Sequence, residues 1–183
     1  MWLSHRLSRQ PLPGREMLMW LSHRLSRQPL RGDEGKTAMI TGHNHTSITV
    51  SDMDTMLSFY RDIVGMKLVD STESKHDDDS TTGSGFEGLH MKVVKLKMGA
   101  FVLELVDYVN KKGQKLDTRP TNIGSFHIGF TCSDIQAVYA DMVAKGVRFK
   151  SAPYSWGEGR PSACYGLDPD SNRFELTDDT KFE

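Results

Sequence analysis

With 183 residues, a net charge of −1 and no apolar run near the ~18 residues a membrane helix needs, the chain is too balanced for a general nucleic-acid or membrane-surface binder and lacks a candidate spanning segment. Its length suits one domain or two small modules with a shared core. Charge is uneven: residues 1–37 hold seven Arg and Lys against three Asp and Glu, and the rest hold 16 against 21.

The basic part opens on MWLSHRLSRQPL at 1–12, written again letter for letter at 19–30. Two copies are too few for a stacked repeat array. The Arg, Ser and Leu content suits a mitochondrial-type transit peptide, or an extension that is mobile or docks on a partner. Residues 1–38 are therefore set apart as a leader. The rest reads as a cytoplasmic chain, mitochondrial if the leader is a transit peptide. Cys132 and Cys164 lie in no CxxC pair and read as reduced, buried thiols.

From Ile40 the patterning is clear. HTSITV alternates and is β-branched, which predicts a strand with His45, Ser47 and Thr49 on one face. Ser51-Asp52 offers capping oxygens, and Met53, Met56, Leu57, Tyr60, Ile63 and Val64 form one helical stripe that Gly65 ends. MKLVD at 66–70 is a strand. The polar stretch 71–88 reads as a loop, and its Asp triplet lacks EF-hand spacing. LHMKVVKLKM and AFVLELVDY are a hairpin turned at Gly99.

The pattern then restarts. SFHIGFTC is a strand, and Ser133-Asp134 caps again, with Ser133 and Gln136 spaced as a capping box. Ile135, Val138, Tyr139, Met142 and Val143 form a second stripe, stopped at Gly146. VRFKS, SACYGLD and NRFELT complete a second β-α-β-β-β run. The expected organisation is a leader at 1–38, one module at 39–110, a linker at 111–124 and a second module at 125–183.

Each module places a His on its first strand and a Glu on its last: His45 and Glu104, then His127 and Glu175. All four fall on the face that the helix does not cover. A carboxylate inside a strand is costly to bury unless it is paired or bound to a metal. Two imidazoles and two carboxylates converging in one cleft would suit a divalent first-row ion and leave open positions for water or substrate. His5, His23, His43, His76 and His90 have no equivalent partners in the other module.

HTSITVSDMDTMLSFYRDIVGMKLV, FVLELVDY, FHIGFTCSDIQAVYADMVAKGVRF and YGLDPDSNRFELTD resemble the vicinal oxygen chelate superfamily, which includes glyoxalase I, methylmalonyl-CoA epimerase, extradiol dioxygenases and bleomycin or fosfomycin resistance proteins. The resemblance implies an α+β fold of two tandem βαβββ modules forming a U-shaped, partly open eight-stranded sheet around a metal cleft. It implies His45, Glu104, His127 and Glu175 as ligands of one divalent ion (Zn, Ni, Co, Mn or Fe), with Glu175 or Glu104 as catalytic base. It also implies a small-molecule substrate with vicinal oxygens and a homodimer. The expected activity is that of a metal-dependent isomerase or lyase acting next to a carbonyl through an enediolate, like an epimerase or a lactoylglutathione lyase. The alternatives are a ring-cleaving dioxygenase with Fe(II) on His45, His127 and Glu175, and an antibiotic-binding resistance protein. Glu87 or His90 is a candidate second acid/base group. Arg119, Arg160 and Lys112 are candidates for an anionic tail, and Gly-Glu-Gly-Arg at 157–160 for a lip over the cleft.

Overall fold

The computed structural model describes residues 39–76 and 85–179. The repeated leader and the Asp triplet at 77–79 lie outside the described residues. The chain divides into two compact units, 1–43 and 44–183. In the first, the described residues 39–43 are exposed and without regular structure. Every element below belongs to the second. No helix among the described residues is long and apolar enough to cross a membrane.

The first module runs β1 (Thr46–Thr49), α1 (Met53–Ser58), a π-helical turn (Phe59–Ile63), β2 (Lys67–His76), β3 (Leu89–Met98) and β4 (Phe101–Tyr108). Its sheet has the order β1-β4-β3-β2, with β1 parallel to β4. The second module runs β5 (His127–Thr131), α2 (Ile135–Ala144), β6 (Arg148–Phe149), β7 (Tyr154–Ser155), β8 (Ser162–Leu167) and β9 (Arg173–Thr177). Its order is β5-β9-β8-β6, with β5 parallel to β9 and the short β7 added on β8.

The caps form where the sequence offers them. Asp52 accepts from the Thr55 amide at 2.9 Å, and Asp134 from the Ala137 amide at 3.0 Å. The second helix is thus capped by Asp134 rather than through the Ser133–Gln136 box. Gly65 and Gly146 follow the helical stretches at φ 88° and 84°, which a side chain would resist.

The fold is α+β as expected, but three features differ in detail. The strands form two separate sheets, not one eight-stranded sheet. The modules join through side chains of their helix-covered faces: one core holds Ile48, Leu103 and Leu105 together with Phe130, Phe174 and Leu176. Second, the first helical stripe ends in a π turn, in which the Val64 amide reaches back to the Phe59 carbonyl at 3.0 Å. The wider turn buries two successive aromatics, Phe59 and Tyr60. Phe59 then meets the Phe174 ring at 5.8 Å, and the Tyr60 hydroxyl donates to buried Asp168 at 3.0 Å. Third, β2 extends through 71–76, which reads as loop because it has no apolar face. Backbone pairing with β3 as far as His76–Leu89 holds it, and its charges suit an edge strand.

Ser51 and Asp170 tie the modules together again, with the Ser51 amide donating to the carboxylate at 2.8 Å and the hydroxyl also bonded to it. Cys132 and Cys164 are free and buried.

Candidate metal centre

The two sheets repeat one register. Ser47 stands opposite Glu104 as Gly129 stands opposite Glu175, and on the other flank Lys95 pairs with Glu104 as Tyr165 pairs with Glu175. Helix-side positions correspond as well: Leu96 with Leu103, and Gly166 with Phe174. The apolar residues of β4 and β9 enter the common core, so alternation turns Glu104 and Glu175 to the opposite faces.

On the first open face, His45 Nε2 lies 3.6 Å from Glu104 Oε1, and Lys95 Nζ lies 3.5 Å from Glu104 Oε2. The Glu104 side chain is only 15% exposed. His45 sits one residue before β1, where its Nδ1 contacts the Asn44 side-chain oxygen at 2.7 Å. On the second face, His127 Nε2 lies 3.0 Å from Glu175 Oε2. The Tyr165 ring packs edge-on to His127 with centroids 5.6 Å apart, and Tyr165 is the cross-strand partner of Glu175. Burial, and then the Glu175 charge, raise the Tyr165 phenol above its ordinary range, so it stays protonated.

The four expected ligands therefore assemble as two pairs. Among the described residues no three His, Cys, Asp or Glu side chains stand close enough to hold a metal ion. Within one copy of the chain the four stand apart as these two pairs. The shared core draws the apolar faces inward and turns the two open faces away from it. The donors in each pair fit a divalent ion in kind, as imidazole nitrogen with carboxylate oxygen, but each pair supplies half of a closed set.

A cleft of about 500 Å³ opens beside Glu175, lined by Trp156, Arg160, Pro161 and Thr177 among others. The 157–160 segment borders it through Gly159 and Arg160, and Trp156, 65% exposed, stands at its edge.

Other candidates fall elsewhere. His90 pairs with Glu73 at 2.6 Å on the helix-side face of the first sheet, five residues from Lys95 and so away from Glu104. Glu87 is exposed on the turn before β3. Lys112 is engaged by Asp107 and by the Ser51 carbonyl, and Arg119 by its neighbour Asp117 at 2.6 Å. Sequence reasoning passed over Lys95 and Tyr165. The hairpin signal at Gly99 held the first, since counting back from Met98 opposite Phe101 places Lys95 opposite Glu104.

Comparison with known proteins bears on the family and the fold. The family described as Glyoxalase/Bleomycin resistance protein/Dioxygenase superfamily matches residues 42–176. A lactoylglutathione lyase of Schizosaccharomyces pombe is 32% identical over 141 residues, 73% of this chain and 46% of that protein. The chain thus spans about half the length of this curated relative. In fold, a glyoxalase family protein from Bacillus cereus is similar with a TM-score of 0.67 at 15% identity, covering 76% of this chain and 95% of that one. A fosfomycin resistance protein from Listeria monocytogenes, complexed with Mn(II) and sulfate, is similar with a TM-score of 0.54 at 21% identity, covering 78% and 96%. The doubled module and the extent of the family match lead to one conclusion: this chain belongs to the glyoxalase/bleomycin resistance/dioxygenase superfamily, the vicinal oxygen chelate proteins.

Proposed function

We propose that the protein is a divalent-metal-dependent isomerase or lyase that works next to a carbonyl through an enediolate, in the manner of a lactoylglutathione lyase or an epimerase. The supporting observation is the repeated His–Glu contact, 3.6 Å in one sheet and 3.0 Å in the other, at matching register on the open faces. Each pair supplies two ligands, whereas a closed set takes about three or four. We infer that a homodimer completes it, the His45–Glu104 pair of one copy meeting the His127–Glu175 pair of the other. The common core supports this, because it leaves both open faces available for a second copy.

When bound, a divalent ion supplies Lewis acidity at the substrate's carbonyl oxygen. The remaining work falls to the chain's own groups. Glu175 takes the proton from the carbon beside the carbonyl and returns it to the neighbouring position. It suits this better than Glu104, whose two oxygens face His45 and Lys95. Tyr165, across the strand from Glu175 and packed on His127, keeps its phenol protonated beside the carboxylate. The cleft walled by Trp156 and Pro161 receives a small molecule with vicinal oxygens and limits water around it. Ring cleavage with Fe(II) is less well served, because Glu104 takes a position that oxygen or substrate needs. A purely antibiotic-binding protein has no use for two matched pairs of this kind.

The test is elemental analysis of protein purified without chelator or metal-affinity resin, beside a His127→Ala variant. It is coupled to exchange of the α-proton into deuterated water with hemithioacetals and 2-oxo thioesters. We expect about one metal equivalent per chain, lost in the variant, and exchange only in the metal-bearing protein. Iron with oxygen uptake on catechols would shift the assignment to ring cleavage, and absence of both metal and exchange would refute it.

A further inference from the structure

The two half-sites carry more positive charge than a metal centre for a neutral substrate needs. Lys95 stands 3.5 Å from Glu104 Oε2, on the same face and at direct cross-strand register. Arg173 is the cross-strand partner of His127 and shares its face with Glu175, and its charge acts on the Tyr165 hydroxyl. Among the described residues Arg173 has no carboxylate ion-pair partner. Its counterpart in the first sheet, by the matching register, is the apolar Val102.

Charge balance gives these cations a meaning. The carboxylates of Glu104 and Glu175 offset a divalent ion, so Lys95 and Arg173 leave the assembled centre with surplus positive charge. A lysine beside a ligand carboxylate also opposes entry of the metal by Coulomb repulsion. Both effects reverse when the substrate brings its own anion, which pairs with the ammonium and guanidinium while its vicinal oxygens face the metal.

Building on the metal-site reading above, we propose that this centre takes a compact substrate with a carboxylate-like group within a bond or two of the reacting oxygens, and that Lys95 and Arg173 bind that group and set the specificity. The substrate class is then a small hydroxy or oxo acid with an additional acidic group. A neutral hemithioacetal head whose charges lie far from the reacting carbon leaves Arg173 without a carboxylate and Lys95 with only Glu104, which also faces the metal.

The test is calorimetric titration of the purified full chain with hydroxymalonate and with lactate. These probes share a hydroxyl–carboxylate pair and differ by a carboxylate in place of a methyl. The titrations are run with Mn(II) on the wild type, Lys95→Met, Arg173→Met and, as a control on the same face, Lys97→Met. We expect hydroxymalonate to bind about tenfold or more tightly than lactate in the wild type. We expect Lys95→Met and Arg173→Met each to cut that preference to about threefold or less, and Lys97→Met to keep it. Mn(II) should bind Lys95→Met at least as tightly as wild type, which separates lost anion recognition from a damaged site. Equal affinities for the two probes, or a preference that survives in both variants, overturns the proposal even where Mn(II) binds. Failure of Mn(II) to bind overturns the metal reading instead, and the same titrations of metal-free protein still decide the anion preference.

Discussion

The two modules spell one plan with different side chains. Each pairs a His with a Glu on an open face, and each caps its helix with an Asp at the same offset. Beside the glutamates they part. Glu104 lies between an imidazole and an ammonium, whereas Glu175 lies between an imidazole and a phenol and borders a cleft of about 500 Å³. Beneath them the core volume is divided differently. Two leucines face each other at 96 and 103, whereas at 166 and 174 a glycine lies under a phenylalanine. The difference teaches that the two modules share the His–Glu pair and an apolar helix-side face while they differ in that face's side chains and in the residue across from each glutamate. The two carboxylates are therefore suited to unlike tasks.

The sharpest way to break the comparison is to neutralise each glutamate in turn. Glu175→Gln is expected to lower the proton-exchange rate about 10²–10⁴-fold while keeping part of the metal. Glu104→Gln should act mainly on metal retention, seen as a rate partly restored by excess metal. Equal kinetic losses with equal metal content would erase the distinction.

A second comparison lies in the core. A Cβ on Gly166 would come within 2.1 Å of the Phe174 ring, which is fully buried and cannot move freely. Gly166→Ala is expected to cost about 1–3 kcal/mol by overpacking. At the matching position of the first sheet, Leu96→Ala is expected to cost about 2–5 kcal/mol by leaving a cavity. Denaturant midpoints of the two variants check both. A neutral Gly166→Ala would mean that the ring is not seated as described.

The smallest effect is at high pH. Burial first, then the nearby Cys132 and Glu175, push the Cys164 thiol up to about 11. The folded state therefore holds this proton more tightly than the unfolded chain, whose thiol titrates near 8.5. Stability from this group is complete below that value and is lost as pH rises toward 11. Thermal midpoints should fall over that window in the wild type and fall less in Cys164→Ala. Val94 stands in the matching place in the first sheet and contributes no such dependence.

Much of this was legible in the chain. Alternation in HTSITV and SFHIGFTC gave both first strands, and Asp52, Asp134, Gly65 and Gly146 marked the helical ends because caps and left-handed turns are local chemistry. Strand period assigned Glu104, His127 and Glu175 to the face opposite the apolar core from neighbours alone, which is where the structure pairs each Glu with a His. The polar half of β2 was hidden, since its stability comes from β3. So was the π turn, since it follows from two aromatics seeking a core that the second module helps to build.

By itself, then, the sequence determined the doubled βαβββ plan, the helix ends and the residue types on each face, all of which depend on contacts only a few positions apart. Tertiary structure decided what stands beside what. It put Lys95 against Glu104 and Tyr165 against Glu175, because strand register fixes neighbours across a sheet. It also divided the four candidate ligands into two pairs, because one core claimed the apolar faces of both sheets and left the open faces turned away from it.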